Sequence, residues 1–220
     1  KTITFSIDKS QTFLGKIEVT FSDTFNFDNT FYFNLNNNKK IDILSIGESK
    51  KYLSKIYTKD EFNFTQTSIK NINYSSLLKQ QIIILNELKN IPEILNNSLF
   101  EFSKNGGTIA IIPNEKIDLN SYNRFLRKIA NFNLKLKVND SLKITDINFN
   151  HPLFKNVFSK KVNNFQYPTT KSYYPISSSS NSKIISFQNN TPFLSQIKSA
   201  NSSLYIFSSA LSKNNSNFLN

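Results

Sequence analysis

Two short runs constrain the fold more than anything else in the chain: "QQIIILNEL" at 80–88 and "TIAIIP" at 108–113. Each is an almost unbroken apolar segment of strand length. A strand without polar alternation is covered on both faces, as in the parallel sheet of an α/β protein. Between them a helical pattern starts with Pro92 in its first turn and continues through Ile94, Leu95, Leu99 and Phe102. Parallel neighbours need a crossover of this kind. The same alternation recurs on either side. "KIDILSIG" (40–47) reads as a strand, 48–57 as a helix with Leu53, Ile56 and Tyr57 on one face, and "EFNFTQTS" (61–68) as a strand. A last helix spans 119–132 with Tyr122, Phe125, Leu126 and Ile129 inward. This order predicts an α/β fold built on a doubly wound, mostly parallel sheet.

The ends of the chain follow a different pattern. "TITFSID" (2–8), "GKIEVTFS" (15–22) and "NTFYFNLN" (29–36) alternate with the period of a half-buried strand, with turn residues between them. They predict an N-terminal antiparallel β attachment over residues 1–38, too small for a sandwich of its own, ahead of an α/β domain over 39–220. Past residue 140, "LKITDIN" (142–148) reads as a strand and 167–182 as a polar, proline-containing loop, with the serines at 177–180 its most flexible part. The segments 183–188, 192–199 and 202–209 read as C-terminal β-hairpins.

Composition narrows the chemistry. The chain has no cysteine, which removes disulfides, thiolate metal sites and a cysteine nucleophile. A single histidine, His151, leaves no histidine cluster for zinc. The net charge of +12 could serve a polyanion, but lysine dominates over arginine and the cations are scattered rather than striped. No nucleic-acid partner is expected, because phosphate affinity needs several cations on one face. No apolar stretch reaches the roughly 18 to 20 residues of a membrane span. The chain opens in mid-pattern, so it is expected to be the soluble portion of something longer.

Gly106 and Gly107 stand side by side before "TIAIIP". A phosphate-cradling glycine pair follows a strand and precedes a helix, whose free N–H groups then face the anion. Here the order is reversed, and the pair reads as a structural turn in which one glycine closes the preceding helix. In an open α/β sheet, ligands sit beyond the carboxyl ends of the strands. That rule nominates Glu48 after the first strand, Asn86 and Glu87 at the end of the central one, and Asn114 and Glu115 after "TIAIIP". These are either solvated loop ends, or a cleft in which Glu87 and Glu115 form an acid/base pair. His151, ahead of Pro152 and among Phe149, Leu153 and Phe154, reads as an extended segment packed on the core. No G-x-S-x-G elbow supplies it with a serine.

The run "YSSLLKQQIIILNELKNIPEILNNSLFEFSKNGGTIAIIP", with "HPLF" and "PFLSQI…LYIFSSAL" after it, resembles the class I glutamine amidotransferase-like fold. It is similar in particular to the version carried by Bacteroidetes membrane proteins with an aerotolerance-regulator (Bat-type) N-terminal domain, in which a β-sandwich-like region leads into the α/β domain as "FDNTFYFNLNNNKKIDILSIG" does here. The resemblance implies a flavodoxin/amidotransferase-like sheet and a nucleophilic cysteine in the turn after a central strand. Pro113-Asn114-Glu115 and Asn86-Glu87-Leu88 carry no thiol or hydroxyl there. Without one the covalent intermediate of such chemistry cannot form. The implied protein is a pseudoenzyme: a non-catalytic scaffold of the cell envelope, with no cofactor or metal. Its partners would be other membrane or envelope proteins, its soluble part periplasmic, and its membrane contact made through segments outside these residues. The alternative is a hydrolase that uses Glu87, Glu115 or His151.

Overall fold

The structure, a computed structural model, describes residues 4, 6, 13–20, 24, 29–35, 39–48, 51–130, 132–155, 157–158, 166–177, 182–198 and 201–218. Two units emerge, residues 1–40 and 41–220. In the first, β1 (Phe13–Glu18) pairs antiparallel with β2 (Thr30–Leu35). Strand alternation gathers Phe13, Gly15, Ile17, Phe31, Phe33 and Leu35 on one face. Of the strand expected at 2–8 only residues 4 and 6 are described, and most of the turn before β2 lies outside the described residues.

The second unit is organised around one sheet of nine strands. β3 (Ile41–Gly47), β4 (Phe62–Thr67), β5 (Ile82–Leu88) and β6 (Thr108–Pro113) alternate with α1 (Lys51–Ile56), the 3-10 turns Ile69–Asn71 and Tyr74–Lys79, and α2 (Glu93–Lys104). α3 (Leu119–Ala130) follows, and after it the described residues form one 3-10 turn, Pro152–Phe154, and the strands β7 (Asn133–Leu134), β8 (Leu142–Ile147), β9 (Thr169–Thr170), β10 (Ile176–Ser177), β11 (Ser182–Phe187), β12 (Pro192–Lys198) and β13 (Ser203–Phe207). The order across the sheet is β4-β3-β5-β6-β13-β12-β11-β8-β9, while β7 and β10 form a separate pair.

This order corrects the expected fold. Four adjacent pairings, from β4 to β13, are parallel, and the four from β13 to β9 are antiparallel. The sheet is therefore mixed and not a doubly wound, mostly parallel one, and among the described residues strand exceeds helix at 39% against 22%. The physical reason lies after α3. Among the described residues no further helical crossover is made; β13 enters beside β6 and the rest returns by antiparallel neighbours, so what reads locally as terminal hairpins is half of the central sheet. The segment 167–182 is likewise not a plain loop. It supplies β9 and β10, and its Tyr173 and Tyr174 are buried. Ser177 belongs to β10, and residues 178–180 lie outside the described residues.

Helices cover the two faces unequally. On one, Leu95, Leu99 and Phe102 of α2 and Tyr122, Phe125 and Leu126 of α3 pack on Leu44, Ile83, Leu85, Ile109 and Ile111. On the other, Leu53 of the short α1 joins Ile43, Ile84 and Ile112, and over the antiparallel half the cover comes from Tyr173 and Leu211. Ile94 and Ile56, expected inward, are 66% and 60% exposed. On α2, Leu95, Leu99 and Phe102 follow the i, i+4, i+7 stripe, and Ile94 falls one position off it.

α2 ends as the glycine pair demands. Gly107 donates its N–H to Phe102 O at 3.1 Å and Gly106 to Ser103 O at 3.0 Å, the paired bonds of a Schellman turn. Gly106 has φ of 88°, where a side chain is strained. Gly107 is small for a different reason: the Phe102 ring fills the space that a Cβ would need.

Candidate functional site

The parallel half of the sheet brings the carboxyl ends of β5 and β6 side by side, and an open cleft of about 440 Å3 lies beyond them. Glu87, Lys89, Asn114, Glu115, Lys116 and Ser212 line it. Of the residues nominated from sequence, Glu87, Asn114 and Glu115 are together here. Glu48 and Asn86 are not. Asn86 is fully buried, its amide donating to Glu48 O at 2.7 Å while its Oδ1 accepts from the Tyr52 hydroxyl at 3.0 Å. It braces the exit of β3 from inside. Gly47, the last residue of β3, has φ of 127°, and a Cβ there would lie 2.2 Å from Asn86 O.

Glu87 enters the cleft through a break in the pairing. Asn86 pairs with Ile112 and Leu88 with Pro113, so Glu87 is the extra residue of a bulge, and its φ is 54°. A non-glycine residue in that region costs about 1–2 kcal/mol. Strain of this kind gathers at functional positions. The residue as a whole is 6% exposed, and its Oε1 is buried.

The β6 exit is tied down from several directions. Asn114 Nδ2 donates to Glu87 O at 3.1 Å, and its Oδ1 accepts from Lys116 N at 3.0 Å. Glu115 O accepts from the Tyr174 hydroxyl at 2.9 Å and from Lys137 Nζ at 3.2 Å. Tyr174 Oη in turn accepts from Ile117 N at 3.2 Å. The Glu115 carboxylate accepts from the Ser212 hydroxyl. Tyr122, wholly buried, donates to Leu88 O at 2.7 Å beneath the cleft. Burial pushes the Tyr122 and Tyr52 phenols well up from their ordinary range, the Glu87 carboxylate adding to both. Tyr174 is raised by burial as well, with a smaller push from Glu115.

His151 serves elsewhere. It caps the 3-10 turn Pro152–Phe154, its Nδ1 accepting from Leu153 N at 3.3 Å. That assigns the proton to Nε2, which donates to Gln196 Oε1 at 2.9 Å, while Gln196 Nε2 donates to Ser203 and Tyr205. A carboxamide in this place orients the ring but cannot take up a proton as a carboxylate would. Among the described residues no three His, Asp or Glu side chains group as a metal site.

Sequence reasoning missed Lys89, Lys116, Ser212 and Tyr174. The two lysines stand within two residues of the nominated strand ends, so the same rule, read slightly wider, finds them. Ser212 reaches Glu115 across 97 residues of chain and leaves no local signal.

Comparison with known protein families and with curated proteins finds no match in sequence. The fold does have counterparts among solved structures. The cytoplasmic protein STM1381 from Salmonella typhimurium LT2 superposes with a TM-score of 0.61 at 14% identity, over 79% of this chain and 89% of that one. A ThuA-like protein from Bacteroides uniformis gives 0.56 at 11% identity, over 78% and 82%. Gan42B, a GH42 β-galactosidase, gives 0.53 at 10% identity over 77% of this chain but only 27% of its own. Identities this low speak for a shared fold alone. Among the described residues no helix is long and apolar enough to cross a membrane.

Proposed function

We propose that this chain is a non-catalytic, amidotransferase-like binding module of the cell envelope, working through protein contacts at the carboxyl edge of its sheet. One observation carries this reading. At the exits of β5 and β6, either of which the resemblance offers as the place of a nucleophile, the chain has Asn86-Glu87-Leu88 and Pro113-Asn114-Glu115, and at the second Asn114 is committed to the Glu87 carbonyl and the Lys116 amide and Glu115 to Ser212. The Ser212 hydroxyl donates to Glu115 with no imidazole beside it, because the chain's single imidazole is held by Gln196 instead. In this reading the module is periplasmic and tethered by segments beyond these residues.

The test is chemical. Purified chain incubated with glutamine and model amides is expected to release no ammonia above buffer. Release that disappears in Glu115→Gln overturns the proposal. It would favour the second reading, a hydrolase, whose support is that Glu87 and Glu115 line one cleft.

A further inference from the structure

The sequence holds a single Asn-Gly pair, Asn105-Gly106, at the end of α2. Both residues are exposed. An asparagine before glycine is the one most prone to lose its side-chain amide spontaneously, because glycine puts no side chain in the way of the backbone nitrogen that must attack. In that reaction Gly106 N gives up its proton and bonds to Asn105 Cγ. The Cγ–Nδ2 bond breaks, and Nδ2 takes a proton and leaves as ammonia. Water then opens the five-membered imide at one of its two carbonyls, giving aspartate when the new C–N bond breaks and isoaspartate when the original peptide bond breaks. No oxidant or reductant is needed.

The cap of α2 holds the reacting atoms out of place. Asn105 has ψ of 13°, which turns Gly106 N over the residue's own nitrogen and away from Cβ, which carries Cγ. The Gly106 N–H is donated to Ser103 O at 3.0 Å, and the amide that would leave is donated to Glu101 O at 2.9 Å. All three restraints are released together when the last helical turn opens, and helix ends are where opening costs least. The product does not fit back. A carboxylate cannot donate to Glu101 O, and it adds negative charge at the helix's C-terminal pole. Isoaspartate also routes the main chain through Cβ, which lengthens it between Ser103 and Gly107, whose N–H has to reach Phe102 O just ahead of β6. We propose that Asn105 is a modification site latched by the α2 cap: deamidation proceeds through the open turn and afterwards keeps the joint between α2 and β6 from closing. This does not depend on the reading of the cleft, and its ammonia is released without any added amide.

Peptide mapping by mass spectrometry, on the chain incubated near neutral pH with and without urea, tests it. In urea Asn105 is expected to convert ahead of every other asparagine, to a mixture of isoaspartate and aspartate. Without urea the same conversion should be slower by about tenfold or more. Lys104→Glu, an exposed change that sets a negative charge against the helix pole, should narrow this ratio, in which effects on the chemistry itself cancel. Asn105→Asp carries the product's charge and should quicken amide exchange at Gly106 and Gly107 while Leu99, in the core, keeps its protection. Equal rates with and without urea, a ratio unmoved by Lys104→Glu, unchanged exchange in Asn105→Asp, or another asparagine converting first in urea would each overturn the proposal.

Discussion

Gly47 shows how closely single residues set the site. Its φ of 127° is open to glycine, and the Asn86 carbonyl occupies the place of a side chain. Gly47→Ala combines backbone strain with a clash that no side-chain movement relieves, since the obstructing atom belongs to a central strand. The expected loss is about 2 kcal/mol or more, read as a shift in the urea midpoint. Glu87 presents the opposite case. A side chain has been kept at φ of 54°, where glycine would be easier, in a bulge that lines the cleft. At His151 a buried imidazole proves to be a bracket between the turn at 152–154 and β12, because its partner is a carboxamide.

At the scale of elements, the β6 exit is a loop whose side chains replace regular pairing. Asn114 joins this exit to the bulge of β5, and Tyr174 and Ser212 anchor it to distant segments. Asn114→Ala removes two hydrogen bonds and leaves the Glu87 carbonyl without this donor. A loss of about 1–2 kcal/mol is expected. Amide exchange should quicken across 114–117 while α3 keeps its protection, since Phe125 and Leu126 remain packed in the core. Uniform quickening of α3 would contradict this account.

Over the whole molecule, a set of shielded phenols links stability to pH. Burial raises Tyr52, Tyr57, Tyr122, Tyr174 and Tyr205 above their ordinary value. An unfolded tyrosine ionises near pH 10. The folded chain holds these groups neutral, so their contribution is complete below about pH 10 and drains away as the pH rises towards the raised folded values. Thermal melts followed by circular dichroism should show the midpoint falling steeply on the alkaline side. Tyr122→Phe should be less stable near neutrality by about 1 kcal/mol, because Leu88 O loses its donor, yet should lose less on the way to high pH. A variant whose alkaline loss matches the parent's would show that Tyr122 takes no part.

The sequence by itself determined the local elements. The apolar runs of β5 and β6, the stripes of α2 and α3 and the Gly106-Gly107 stop are written within a few residues of where they act, because strand period, helix period and capping are short-range effects. The carboxyl-end rule then reached Glu87, Asn114 and Glu115, which line the cleft, along with Asn86 and Glu48, which do not. Only the tertiary structure decided that β13 lies parallel to β6, and so that the sheet is mixed rather than doubly wound. An alternating strand such as "SLYIF" is compatible with either direction of neighbour, and the choice is made by partners almost a hundred residues away. Ser212 on Glu115, and Tyr174 in a stretch that reads as a loop, depend on the same long-range closure, for which local patterning holds no record.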